Sequence, residues 1–445
     1  MSTVTSPYLT GNFGPVADEV TVADLAVTGT IPAELEGRLL RIGPNPAAPP
    51  DPATYHWFTG DGMVHGVRLR GGRAEWYRNR WVRGRNVTDA LGEPPLPGPT
   101  HADMTTVNTH VIGHAGRTFA LVEAGARPIE LSYELESIAH SDFDGTLEGG
   151  FTAHPHRHPG TGELHAVTYH WAWDHLRYVI VGVDGRVRRT VRVPVDGGPM
   201  VHDCAITESH VLLFDLPVAF DLDRAVGGVR FPYAWQPDRP ARVGVLPHDG
   251  DADDVRWCEV DPCYVFHPLN AYEVGDGRIV VDVVRHPKMF ATDLLGPNEG
   301  GPTLDRWTLD PASGTTHEER LDDRGQEFPR LDERLTGRRH RFGYGAALAA
   351  GVEHGPALKH DLERGTTEEH HHGAGRVTLE PLFVPRADDA AEDDGWVMSY
   401  VYDATTDTSD VVILAAQDFT GDPVATIHLP VRVPFGFHGS WVPDA

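Results

Sequence analysis

An all-β fold built from radial antiparallel blades is the architecture this sequence predicts, on three observations. Short runs rich in β-branched and aromatic residues recur from Leu39 onward, separated by Gly, Pro, Asp and Asn. Amphipathic helices of three turns are almost absent, so parallel sheets, which need helical crossovers, are disfavoured. Four histidines stand beside such runs in similar settings: His154 before Pro155, His202 before Asp203, His267 before Pro268 and His438 before Gly439. The gaps between them, 48, 65 and 171 residues, are too long for a zinc finger or a helical His-x-x-x-His clamp. Only a closed fold could gather them, and a β-propeller with a metal on its axis does so.

The strand-like runs are residues 63–70, 74–82, 117–123, 163–169, 176–183, 187–193, 210–216, 278–284, 396–402, 410–416 and 424–433. Turn signals such as Asp184-Gly185 and Gly275-Asp276-Gly277 separate them as hairpins. Four-stranded blades use about 40–60 residues each, so the 445-residue length suits roughly seven. No WD or Kelch repeat marks them. Residues 1–36 read as an irregular segment packed on the propeller, with a short strand after Val20 and a Pro-initiated helical turn at 31–35. Residues 386–395 (RADDAAEDDG) form an acidic loop, and residues 368–372 (EEHHH) lie in a polar stretch that reads as a solvated loop, since consecutive histidines point in divergent directions.

Composition narrows the function. A formal charge of −27 repels phosphate backbones, so nucleic acid is not an expected partner; the arginine-rich stretch 78–85 reads as an ordinary solvated strand face. No apolar run approaches the roughly 18 residues of a membrane span. Three cysteines make no paired framework and the first residues lack a secretory pattern, so a reducing cytoplasm is the expected compartment.

The 26 histidines must mostly be structural, and a lone histidine beside a strand is more often a core residue than a ligand. In the densest cluster, His154, His156 and His158 sit at a strand end near Pro155 and Pro159, where no fourth ligand is fixed. Of these, His154 alone is expected to face the axis.

Context changes those odds. Residues 151–154 (FTAH), 200–203 (MVHD), 263–271 (CYVFHPLNA) and 434–439 (PFGFHG) together resemble the four metal-binding segments of the carotenoid cleavage dioxygenase family. The likeness extends to residues 35–46 (LEGRLLRIGPNP), 57–63 (WFTGDGM), 327–330 (EFPR) and 380–385 (EPLFVP), nearly the whole chain. It implies a seven-bladed β-propeller over residues 1–445, with loops and short helices capping the metal-bearing face. It further implies one Fe(2+) per subunit, held by His154, His202, His267 and His438, with Glu123, Glu327 and Glu380 as the carboxylates that orient the imidazoles. The implied reaction is cleavage by O2 of one C=C bond of a carotenoid or apocarotenoid, giving two aldehyde or ketone products.

Tyr55, Trp57, Phe58, Trp171, Trp173, Phe266, Phe437 and Trp441 could line an apolar tunnel for such a polyene, with Phe58, Val122, Phe266 and Phe437 nearest the motifs. Relatives that cleave stilbenes place a lysine just before the glutamate matching Glu123; here that residue is Val122, which favours a polyene. The alternatives are a stilbene-cleaving dioxygenase of the same family and a non-catalytic propeller that binds an apocarotenoid. Residues 218–231, where relatives carry an apolar patch, are short and charged, so membrane contact is at most peripheral.

Overall fold

The structure is a computed structural model that describes residues 6–101, 106–296, 299–350 and 353–444; the irregularity expected of residues 1–5 lies outside them. Among these residues seven antiparallel sheets stand as blades, accompanied by one two-stranded ribbon, Val218–Phe220 with Tyr233–Trp235. Blade 2 runs from His110–His114 at the centre to Ser137–His140 at the rim, and blade 3 from His156–Arg157 to Val187–Pro194. Blades 4, 5 and 6 begin with Cys204–Ile206, Tyr264–Glu273 and Gln326–Arg330. These first strands touch those of neighbouring blades, which identifies them as the wall of the axis.

The ring closes twice. In blade 1 the innermost strand, Gly439–Pro443, comes from the C-terminal end and pairs with Gly37–Pro44. In blade 7 the outermost strand, Val27–Gly29, comes from near the N-terminal end and pairs with Ala425–His428. The short strand expected after Val20 is Thr21–Ala23, an edge strand of blade 1; the rest of the irregular segment up to residue 36 is corrected, since Val27–Gly29 is an edge strand of blade 7 and residues 31–35 form a turn and no helix. Strands this short carry no period of their own, and their pairing partners lie about 50 and 400 residues away.

Burial follows position in the blade. Gly37–Pro44 is buried along its whole length, whereas the rim strand Thr315–Asp322 has no buried residue. This explains a second correction. The polar run 366–370 is a rim strand, Thr366–His370, and His370 is buried with its Nδ1 2.9 Å from the Phe419 carbonyl. A rim strand solvated on both sides reads as a loop in sequence. The arginines at 78–85 are tied down individually, Arg80 to Glu136 at 2.7 Å and Arg83 to Glu93 at 2.9 Å, and form no basic groove.

Two α-helices occur among the described residues, Arg85–Leu91 and Leu222–Val226, and neither is long enough to cross a membrane. Cys204, Cys258 and Cys263 are free and buried. One close approach matters for the centre: Gly43 and Gly436 face each other where the segment leading to His438 crosses the first blade, and a Cβ on Gly43 would lie 2.4 Å from the Gly436 Cα. Any side chain there would collide with the segment that leads to His438.

Many histidines away from the axis are buried and neutral. Burial depresses His65 to about 3, His340 to about 4 and His165 to about 2. The folded pKa lies below the unfolded one, so the unfolded chain binds more protons; stability is full above about pH 6.5 and is lost as pH falls. Each such histidine is worth on the order of 2 kcal/mol by pH 5. The melting temperature should accordingly drop between pH 7 and pH 5 in thermal scans at constant ionic strength; an equal or higher value at pH 5 would contradict this account.

Candidate metal centre

The four histidines meet because each stands at the same end of an innermost strand. His154 and His202 lie two residues before His156–Arg157 and Cys204–Ile206, and His438 directly precedes Gly439–Pro443. His267 lies inside Tyr264–Glu273, at a register shift between Val265 and Pro268; Pro268 has no N–H to give to the ladder. All four are buried. Their ring centroids are 4.5 Å apart for His154 and His202, 4.6 Å for His154 and His438, 4.7 Å for His267 and His438, and 5.0 Å for His202 and His267. One nitrogen from each ring falls within 4.8 Å of the others.

Three carboxylates set which nitrogen faces inward. Glu123 accepts from His202 Nδ1 at 3.0 Å, Glu327 from His267 Nδ1 at 2.7 Å and Glu380 from His438 Nδ1 at 2.8 Å. With Nδ1 donating outward, each ring keeps a bare Nε2 lone pair toward the centre. The Nε2 of His154 is buried without a hydrogen-bond partner, as expected of a lone pair reserved for a cation. Burial and the neighbouring rings hold the His154 and His438 imidazoles well below the ordinary value, so both are neutral donors. Burial also opposes charge on His267, but the Glu327 carboxylate outweighs it and raises the ring. Four convergent imidazole nitrogens suit a divalent transition ion, so the residues present fit the metal that the sequence implies.

Each carboxylate is itself anchored. Glu123 accepts from the Tyr169 hydroxyl at 3.0 Å. Glu327 takes His286 Nε2 at 2.6 Å and the N–H of Phe328 at 2.7 Å. Glu380 takes the N–H of Gly439 at 2.8 Å, with Arg330 at 3.5 Å. Burial pushes the Glu327 carboxyl up, but the imidazoles of His267 and His286 pull it far below the usual range. Phe328 has φ +57°, a strained conformation for a bulky residue, and it lies where blade 6 shifts register beside Glu327.

His156 and His158 turn elsewhere, as expected of strand-end neighbours. His156 Nε2 lies 2.8 Å from Asp203, and His158 Nδ1 accepts the N–H of Gly160 at 3.1 Å. The sequence reading assigned no role to Tyr169, His286 or Asp203; only Asp203 carried a signal, its position next to His202.

Two cavities reach the histidines. One of about 470 Å3 is lined by Phe58, Val122, Phe266 and Phe437, together with Trp57, Trp171, Phe220 and Phe231, and touches His202 and His438. Tyr55 and Trp173 do not line it. The other, of about 750 Å3, follows the innermost strands; it is lined by His110, Arg157, Arg330 and Trp441 and touches His154, His267 and His438.

A propeller carrying four such histidines and an apolar cavity defines a metal-dependent enzyme class, and the comparisons identify it. The family described as retinal pigment epithelial membrane protein matches residues 13–443. A carotenoid cleavage oxygenase of Mycobacterium tuberculosis is 46% identical over 98% of each chain. The carotenoid 9,10(9',10')-cleavage dioxygenase 1 of Arabidopsis thaliana is 32% identical over 98% of this chain and 90% of its own. Among solved structures, Pseudomonas brassicacearum lignostilbene dioxygenase superposes with a TM-score of 0.91 at 30% identity over the whole of both chains. Cobalt-substituted Synechocystis ACO gives 0.86 at 28% identity over 97% of each. The chain belongs to the carotenoid oxygenase family, and its fold is that family's seven-bladed propeller.

Replacing Glu123, Glu327 or Glu380 by Gln keeps a hydrogen-bond acceptor while removing charge, and should lower metal affinity about 10–100-fold. Alanine at His154, His202, His267 or His438 should abolish stoichiometric metal in elemental analysis of the purified protein. A His→Ala variant with a full complement of metal would remove that residue from the site.

Proposed function

We propose that the protein is a non-haem Fe(II) dioxygenase that splits one C=C bond of a carotenoid or apocarotenoid with O2, each oxygen atom ending in one of two carbonyl fragments. The observation that carries this reading is the convergence of four bare imidazole nitrogens at the inner end of an apolar, aromatic-lined cavity. His154, His202, His267 and His438 would hold the ion. Bound Fe(II) would supply the redox chemistry that lets O2 attack an alkene, which a redox-inert ion such as zinc could not.

The chain's own residues would do the rest. Four neutral ligands leave a +2 charge in a buried place, and Glu123, Glu327 and Glu380 offset it from behind the rings. Phe58, Phe266 and Phe437 would hold the polyene against the metal face by apolar contact, worth about 25 cal/mol per Å2 buried, and keep water off the reacting bond. The free protein is expected in the cytoplasm. Leu222 and Val226, 61% and 81% exposed on their short helix, suit at most a peripheral touch on the membrane that dissolves the substrate.

A phenolic stilbene is the second reading, favoured by the likeness to a lignostilbene dioxygenase and by the hydroxyl-bearing Tyr169 and Tyr233 in the cavity wall. Against it, Val122 is buried beside Glu123 and offers no hydrogen-bond partner. A phenol left unpaired there costs about 1–3 kcal/mol, or roughly 5–150-fold. Purified Fe(II)-protein should cleave apocarotenals or carotenoids faster than a 4-hydroxystilbene, with aldehydes identified by mass, and Val122→Lys should move the ratio toward the stilbene. Faster turnover of the hydroxystilbene by the unmodified protein would overturn the polyene assignment.

A further inference from the structure

Three of the four histidines donate Nδ1–H to a glutamate at 2.7–3.0 Å, and His154 does not. What faces it instead is Asp203, whose Oδ2 lies 3.7 Å from His154 Nδ1. We infer that Asp203 is the carboxylate partner of the fourth imidazole and that His156 is the clamp that aims it. This rests on the metal reading proposed above and adds a positioning pair to it.

The geometry assigns the two carboxylate oxygens different tasks. Oδ1 is fully engaged, accepting the N–H of Cys204 at 2.6 Å and His156 Nε2 at 2.8 Å. Oδ2 is turned toward His154. Asp203 is 6% exposed, and an ionised carboxylate so buried is unfavourable without partners; the two donors on Oδ1 supply them. The 3.7 Å separation is too long for a hydrogen bond, and about 0.8 Å of movement would close it. His154 is thus held more loosely than the three rings that rest on glutamates, and its alignment depends on a residue two positions further along the chain. His156 sits outside the metal's reach yet acts on it through Asp203.

Asp203 stands where no other part of the site makes use of it. An aspartate directly after one ligand is too short to serve that ligand, His202, whose Nδ1 is taken by Glu123. The next innermost strand brings His154 to it. A charge at Asp203 also completes a ring of four carboxylates behind four imidazoles.

The test uses metal-free full-length protein titrated with Co2+ in the presence of a competing chelator, following the visible d–d absorption, which reports ligand geometry. Asp203→Asn and His156→Ala should each weaken cobalt binding about 10–100-fold and alter the absorption band. His156→Gln, which retains an N–H donor for Oδ1, should recover most of the affinity. His158→Ala, on the same strand end with its ring turned away, should match the unmodified protein, and thermal melting would verify folding of every variant. Unchanged affinity and spectrum in Asp203→Asn, or an unaltered His156→Ala, would overturn the role of the pair. If Asp203→Asn does not fold, the contrast between His156→Ala and His156→Gln decides alone: equal values overturn the proposal. Unmodified protein that takes up no cobalt would instead overturn the metal centre itself.

Discussion

Four imidazoles can share a dry centre only if every ring turns a lone pair inward, and that requirement governs the structure around them. A neutral imidazole carries one N–H, and wherever that hydrogen points, the opposite nitrogen becomes the ligand. Buried rings without outward acceptors would be free to adopt either tautomer, or to pair with each other. Glu123, Glu327 and Glu380 remove that freedom by taking the Nδ1 hydrogens, and each is a buried or nearly buried anion that needs other donors to remain ionised. Tyr169, His286 and the Gly439 N–H provide them. The centre is therefore a set of nested dependencies, in which the ligand geometry is no firmer than the partners of its partners.

Seven blades meet this demand with one group apiece. Blades 3, 4 and 5 present His154, His202 and His267, blade 1 presents His438, and blades 2, 6 and 7 present Glu123, Glu327 and Glu380. Because no blade holds two of these seven groups, the arrangement exists only while the ring is closed. The double closure is then more than a structural seam. His438 leads directly into the strand that seals blade 1, and Val27–Gly29 seals blade 7, which carries the glutamate bonded to His438. Ligand position and ring integrity share the same residues.

This architecture explains which parts were legible in the sequence. The histidine segments were readable because each joins a buried histidine to an innermost strand, and such segments keep their motif texture. The three glutamates were found through the family likeness; nothing in their spacing would have led to them, since Glu123 lies beyond the end of Arg117–Leu121 and Glu380 lies between two strand pieces of blade 7. The failures lay at the rim. Val27–Gly29 and Thr366–His370 are strands by virtue of partners and not of pattern, because a rim strand buries little and needs no alternation. Support residues such as Tyr169, just past the end of Leu164–Thr168, and His286, at the end of Ile279–His286, were invisible for a related reason, since each is an ordinary residue until the fold brings a carboxylate to it.

The apolar cavity and the four-histidine centre are coupled by adjacency in the chain. Val122 faces the cavity and Glu123 holds His202, so two neighbouring backbone units place a cavity wall residue and a restraint on the centre. Tyr169 joins them, for its hydroxyl bonds Glu123 while its ring forms part of the cavity wall. A shift in this wall is therefore a shift in the support of His202. The face toward the axial cavity differs. There His154 answers to Asp203 across a longer gap, in a polar setting with His156 and Arg157 nearby. The centre thus has one side made rigid by glutamates beneath an apolar wall and one side held by a looser contact. Side chains that shape the apolar cavity can therefore change only within the limits set by Glu123, whereas Asp203 bears on His154 from the other cavity, whose wall shares few residues with the apolar one.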